Sequence, residues 1–152
     1  MSRRDLIRMT PDEVEAFLGG KHTMNVATLS PSGQPHLVAM WYGFIDGAPA
    51  LWTYSRSQKV MNLRRDPRIT CLVETGDTYD TLRGVELVGT GTILEDAAAI
   101  TQVGQSVYSR YFGVVDELSR PIVERMGAKR VAVRIDVVSV VSWDHAKLGG
   151  VY

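Results

Sequence analysis

Residues 130–143 hold Val131, Val133, Ile135, Val137, Val138, Val140 and Val141, a density of β-branched side chains that only a strand accommodates well. A strand must find partners for its backbone N–H and C=O groups, so the rest of the chain has to supply a sheet. Five further segments are suited to it. Residues 22–29 alternate loosely, and Ser30-Pro31-Ser32-Gly33 turns the chain into a second strand over 36–45. Asp46-Gly47 marks a hairpin into 49–54. Strands at 68–75 and 84–94 flank Gly76-Asp77, and Gly89 and Gly91 inside the second predict a bend or a close backbone approach. The strands follow one another as hairpins and not as repeated βαβ units. That order predicts a mainly β fold, an antiparallel barrel with peripheral helices.

The helices are marked by their ends. Thr10-Pro11-Asp12-Glu13 opens one that carries Val14, Phe17 and Leu18 on a single face and stops at Gly19-Gly20. Asp96 caps another that runs to about Phe112, with Ile100, Val103, Val107 and Tyr111 in helical register. A further helix spans about Asp116 to Met126, where Pro121 is tolerated only in the first turn. The last two form a helical insert at about 96–128 in what reads as one domain over 1–152.

Composition excludes several function classes. Seventeen basic and seventeen acidic side chains cancel, so no global charge draws the chain to nucleic acid or an anionic membrane. The start, Met1-Ser2-Arg3-Arg4-Asp5, has no apolar stretch behind it, and no run approaches a membrane span, so a cytoplasmic protein is expected. Cys71, the only cysteine, sits in an apolar strand and reads as a buried inert thiol. His22, His36 and His145 are too scattered to suggest a metal site. Nucleophile-elbow, Walker and zinc-helix motifs do not occur, and Gly89-Thr90-Gly91 lies in a strand without the third glycine of a dinucleotide fold.

One local feature does carry chemistry. Between the strands ending at Tyr54 and starting at Arg68, Ser57 stands at an N-cap position and Asp66-Pro67 stops the helix that follows. A short helix whose first turn offers a hydroxyl, free N–H groups and Lys59 is a compact anion site, suited to a phosphate-bearing ligand. Arg56, Lys59, Arg64, Arg65 and Arg68 form the only basic cluster; each also has a plain reading as part of a solvated helix face. Trp41, Tyr42, Trp52 and Tyr54 lie on the strands leading to this junction. They serve equally as core or as stacking surfaces for a planar ring.

With these residues assembled, the chain resembles the split β-barrel flavin and deazaflavin oxidoreductases, the pyridoxamine 5'-phosphate oxidase-like superfamily. The resemblance rests on Ser32-Gly33-Gln34-Pro35-His36, on Trp52-Thr53, on Ser57-x-Lys59-x-x-Asn62-Leu63-Arg64-Arg65-Asp66-Pro67-Arg68, and on Arg83-Gly84-Val85. Within it, Asp77-Thr78-Tyr79-Asp80-Thr81-Leu82-Arg83-Gly84 and Ser142-Trp143-Asp144-His145-x-Lys147-Leu148-Gly149 look like the actinobacterial branch that uses the deazaflavin F420. The resemblance implies a six-stranded split barrel, a homodimer, and a cofactor in the groove between subunits. Ser57 and Lys59 would hold the cofactor phosphate. Thr53 and the strand backbone at Ala39, Met40 and Trp41 would flank the ring, and Trp143 and Lys147 would approach from the partner chain. Asn62 and Arg65 are weaker carry-overs.

Two departures shape the functional expectation. The oxidases of the family carry an Arg just before the motif Lys, where this chain has Gln58, and their C-terminal Arg-x-His is replaced by Trp143-Asp144-His145-Ala146-Lys147. Both argue against vitamin B6 oxidation. The expectation is an F420-dependent oxidoreductase that reduces a small organic acceptor by hydride transfer. The alternatives are an FMN-binding oxidase-like protein and a non-catalytic flavin, deazaflavin or tetrapyrrole binder. No catalytic residue is assigned; Tyr42, Tyr54 and His36 are the available proton donors.

Overall fold

The computed structural model describes residues 2–150. Seven strands form one antiparallel sheet: β1 Met24–Leu29, β2 Pro35–Met40, β3 Gly43–Ile45, β4 Ala48–Tyr54, β5 Arg68–Thr75, β6 Arg83–Leu94 and β7 Arg130–Asp144. Their spatial order is β2-β1-β5-β6-β7-β4-β3. The expected second strand over 36–45 is therefore two strands. It breaks at Trp41-Tyr42, and its halves pair with β1 and β4 at opposite edges of the sheet, which raises the strand number from six to seven.

This break forces the sheet to curl. Seven strands laid flat would hold their edges about 29 Å apart at the usual spacing. Three Cα steps from Met40 to Gly43 reach at most about 11 Å. The edges must meet, and the sheet closes into a split barrel. Tyr42 fastens the crossing: it is fully buried, and its hydroxyl donates to the Leu18 carbonyl at 2.6 Å.

Local chemistry fixes the remaining connections. Asp46 and Gly47 both take positive φ, 50° and 81°, as a two-residue hairpin between β3 and β4 requires. Gly89 lies at a bulge: β6 and β7 pair Val88 with Ser139 but Gly89 with Val137, leaving Val138 unmatched. A Cβ on Gly89 would collide with the Asp136 carbonyl, so the glycine is required by close backbone approach. The bulge also accounts for the adjacent valines Val137 and Val138, since an extra residue resets the inward–outward alternation.

Two cores result. The barrel interior holds Met24, Val26, Leu51, Ile69, Cys71, Val73, Val85, Val133 and Ile135. Outside the barrel, α4 (Ala97–Tyr111) and α5 (Arg120–Gly127) bury Trp52 and Ala132 under Val103, Val107 and Val123. Helix α5 starts at Arg120, later than the sequence suggests, which places Pro121 in its first turn. The segments α1 (Arg3–Ile7), α2 (Pro11–Gly19) and α3 (Gln58–Arg65) complete the helices.

Arg110 of α4 secures the exposed end of α2. Its guanidinium donates to the carbonyls of Leu18, Gly19 and Gly20, while Nε donates to the Tyr42 carbonyl at 3.0 Å. These carbonyls have no partners within α2, so one planar cation satisfies a helix terminus and the barrel crossing together. Arg110→Met should lower the unfolding free energy by about 2–3 kcal/mol, the scale of hydrogen bonds to a charged group. Urea denaturation checks this, and an unchanged midpoint would contradict it.

Candidate functional site

Helix α3 packs against β1 and β6 and brings two buried polar side chains, Lys59 and Asn62, to the end of the barrel. Its first turn follows β4 directly, through Tyr54-Ser55-Arg56-Ser57, which puts Lys59 beside Thr53. The Lys59 ammonium donates to Thr53 Oγ1 at 3.0 Å, and the Ser57 hydroxyl lies 3.5 Å from the same oxygen. Lys59 is 9% exposed and forms no ion pair among the described residues. Burial pushes its pKa below the ordinary lysine value. Of the three N–H donors of an ammonium, one is engaged.

Ser57 occupies the N-cap position as expected, but its side chain makes no capping bond. The hydroxyl and the first-turn N–H groups of α3 are consequently not tied to each other. A hydroxyl, a lysine and open backbone donors thus converge at one helix start, the donor set that suits a phosphate.

A second buried pair positions the helix. Asn62 is fully buried; its amide donates to Thr28 Oγ1 at 3.0 Å and its oxygen accepts from Gln58 at 2.8 Å. Arg65 donates a short bond to the Leu29 carbonyl at the end of β1. In these positions Asn62 and Arg65 hold α3 against β1. His36 stands opposite Thr28 in the β1–β2 pairing, so its imidazole leaves the sheet on the same face; its Nδ1 is buried without a hydrogen bond.

The basic cluster separates by partner. Arg64 pairs with Glu95 at 2.7 Å, and Arg68 pairs with Asp66, whose carboxyl it holds down at about 2. Both are exposed surface pairs of little energetic weight. Arg56 and Lys129 are exposed and have no charged partner among the described residues, and the two adjoin at the Ser55 N–H to Lys129 carbonyl bond of 3.0 Å. Lys59 alone in the cluster is buried.

Ala39, Met40 and Trp41 lie at the far end of β2, an edge strand whose outer backbone groups have no sheet partner. Five residues separate His36 from Trp41, about 16 Å of strand. Trp41 stacks on Tyr111 with centroids 4.7 Å apart and planes 4° from parallel.

Trp143 and Lys147 stand elsewhere in the protomer. Thr53 pairs with Val131 at the start of β7, whereas Trp143 pairs with Gly84 near its end, about 40 Å of strand away. Lys147 donates to the Arg8 carbonyl and to Glu13, whose carboxyl it holds below the usual range. These two residues can join the α3 site only from a second copy.

Of the three proton donors considered, Tyr42 is removed. It is buried, engaged with Leu18, and burial pushes its hydroxyl up to about 12. Tyr54 is exposed beneath the Arg130 guanidinium. Thr28, Arg110 and Arg130 were not identified from the sequence. Only Thr28 left a trace there, as a polar residue in the inward register of Met24 and Val26.

Among the described residues no cluster of three or more His, Cys, Asp or Glu side chains could hold a metal, and no helix is long and apolar enough to cross a membrane. Cys71 is buried, its thiol pushed up to about 12 by desolvation. An aromatic disulfide reagent at pH 8 should therefore find no reactive thiol in the folded protein and one equivalent in denaturant. Rapid native labelling would contradict the buried assignment.

Comparison with known proteins supplies the family. The chain is 47% identical to a conserved hypothetical protein of Mycobacterium tuberculosis, covering 100% of this chain and 95% of that one with a TM-score of 0.94. An F420 reductase shares the fold at 23% identity and TM-score 0.64, over 83% of this chain and 94% of that one. A haem storage protein from Vibrio cholerae shares it at 12% identity and TM-score 0.69, over 90% and 97%. No curated protein sequence matches the chain. The profile of the pyridoxamine 5'-phosphate oxidase family matches residues 10–144, and the chain belongs to that family.

Proposed function

We propose that this protein is an F420-dependent oxidoreductase that reduces a small organic acceptor. The observation that carries the reading is Lys59, a buried cation with a hydroxyl for a neighbour and no carboxylate. A fold gains nothing from burying an unpaired charge unless a ligand completes it. In this reading Lys59, Ser57 and the first-turn N–H groups of α3 hold the phosphate. Thr53 and the free edge of β2 at Ala39, Met40 and Trp41 flank the ring, while Asn62 and Arg65 fix the helix that carries the lysine. A deazaflavin bound there supplies two-electron, hydride-type reduction; the protein orients the reactants and excludes water.

Support for the deazaflavin over FMN comes from charge outside the phosphate pocket. Gln58 offers the phosphate no second cation, while Arg56 and Lys129 leave two unpaired charges just beyond it. That distribution suits an anionic tail extending past the phosphate. FMN, whose charge ends at the phosphate, is the alternative.

The reading includes a homodimer. Val137, Val138, Val140 and Val141 of β7 are all exposed, Val138 at 81%, beside the exposed Val88 of β6. Exposed valines on both faces of a central strand favour a second copy of the chain. The same arrangement is what would bring Trp143 and Lys147 to the site. Val138→Asp should then shift the sedimentation coefficient from dimer to monomer; a wild-type monomer would remove the partner-chain residues from the reading.

Calorimetric titration with F420 and FMN side by side, followed by a reductant assay against quinones, tests cofactor and turnover. Tight FMN binding without F420 binding would overturn the cofactor, and binding without turnover would mark a carrier. Lys59→Ala should weaken binding by about 1.5–3 kcal/mol, and an unchanged affinity would overturn the phosphate site.

The lysine also links stability to pH. Its folded pKa lies below its unfolded value, so between the two the unfolded chain binds more protons and ligand-free stability rises with pH. Below the folded pKa the full desolvation penalty is present. Lys59→Met should therefore raise the melting temperature of the ligand-free protein at pH 7 while abolishing stabilisation by cofactor. A lower melting temperature would contradict the unpaired-charge account.

A further inference from the structure

Beyond the cofactor groove, a cavity of about 240 Å³ lies between the barrel and the helices α4 and α5. Trp41, Trp52, Tyr108, Phe112 and Met126 line it together with Arg130. Phe112 meets the Trp41 ring edge-on at 5.3 Å and the Tyr108 ring at 5.1 Å, so the walls are mutually braced aromatic surfaces.

One polar side chain gives the cavity a direction. Arg130 is half-buried, and its guanidinium lies 4.7 Å from the Trp52 ring centroid and 4.3 Å from that of Tyr54. Its Nε donates to the Met126 carbonyl at 3.1 Å, and the side chain makes no other hydrogen bond and no ion pair among the described residues. The stacking and the single bond lock the fork in place and leave its terminal N–H donors open. The Trp52 ring packs its Nε1 edge against Gly104 of α4 and forms the floor under the guanidinium.

We infer that this cavity is a binding site for a small planar anion, a single aromatic ring bearing a carboxylate. The ring matches the aromatic walls. The carboxylate matches the planar, pre-oriented fork of Arg130, for which a carboxylate is the geometric complement. Size sets the class: a cavity of about 150 Å³ takes up benzene, so 240 Å³ admits one substituted ring and excludes a fused three-ring system. The cavity shares Met40 and Trp41 with the ring end of the proposed cofactor groove, but its cation is a different one. Arg130 pairs with Tyr54, beside the Thr53 that receives Lys59, and successive residues of β4 point to opposite faces of the sheet.

Titration of the full-length protein with benzoate and with benzamide, followed by tryptophan fluorescence and calorimetry, tests the inference without any variant. Benzoate should bind at least tenfold more tightly than its neutral, equally sized amide, with a change in tryptophan emission. Equal affinities, or no benzoate binding at 10 mM on the order of a weak-ligand limit, would overturn it. Arg130→Met, which keeps the apolar stem over Trp52, should weaken benzoate binding by about tenfold or more, and Trp52→Phe should weaken it by a smaller factor. Lys59→Ala should leave benzoate affinity unchanged; a loss there would place the anion at α3 instead. Retained benzoate affinity in a folded Arg130→Met protein would likewise overturn the assignment.

Discussion

Two residues, Trp41 and Tyr42, connect opposite edges of the sheet, and the architecture depends on that short crossing. It cannot span the width of a flat seven-stranded sheet, so the sheet has to close. Closure brings β1 and β4 to the same end of the barrel, where α3 can touch both. Thr28 on β1 holds Asn62, Thr53 on β4 receives Lys59, and one short helix joins them. The crossing is itself held from outside the barrel, by the Leu18 carbonyl that accepts from the Tyr42 hydroxyl and by the Arg110 guanidinium that donates to the Tyr42 carbonyl. The same link sends Trp41 outward to stack on Tyr111 and wall the aromatic cavity.

The site is set against this well-satisfied framework. Polar groups that hold the fold are matched: Asn62 has both Thr28 and Gln58, and Arg110 has four carbonyls. Lys59 and Arg130 are different. Lys59 is buried and Arg130 half-buried, and each is oriented by a specific neighbour and has no carboxylate partner among the described residues. Local inconsistency of this sort concentrates where a protein meets its ligands. The two cations have different neighbours, hydroxyls and helix N–H groups around Lys59 and aromatic rings around Arg130. Their complements should differ accordingly, a phosphate at the first and an aromatic carboxylate at the second.

Much of the fold was legible in the sequence because its signals are local. Asp46-Gly47, Thr10-Pro11, Asp96 and the β-branched run of β7 each specify their own conformation, and all are found as read. The break at Trp41-Tyr42 was not legible. Neither residue is a turn former, and the interruption follows from two halves of one apolar segment pairing at different edges. The placement of Ser57 and Lys59 at the start of α3 was legible, since the two lie within one helical turn in sequence. The partners of that helix were less so: Thr28 and Asn62 are 34 positions apart and meet only after closure. Arg130 opens an apolar strand and looks like a flanking charge until α5 and Trp52 enclose it.

Lys59 carries the central claim, and its ionisation can be measured directly by ¹⁵N–¹H NMR of the side-chain ammonium as a function of pH. The account predicts a pKa below the ordinary lysine value in the ligand-free protein, rising when a phosphate-bearing cofactor binds and supplies the missing negative charge. An ordinary pKa that does not respond to cofactor would contradict it.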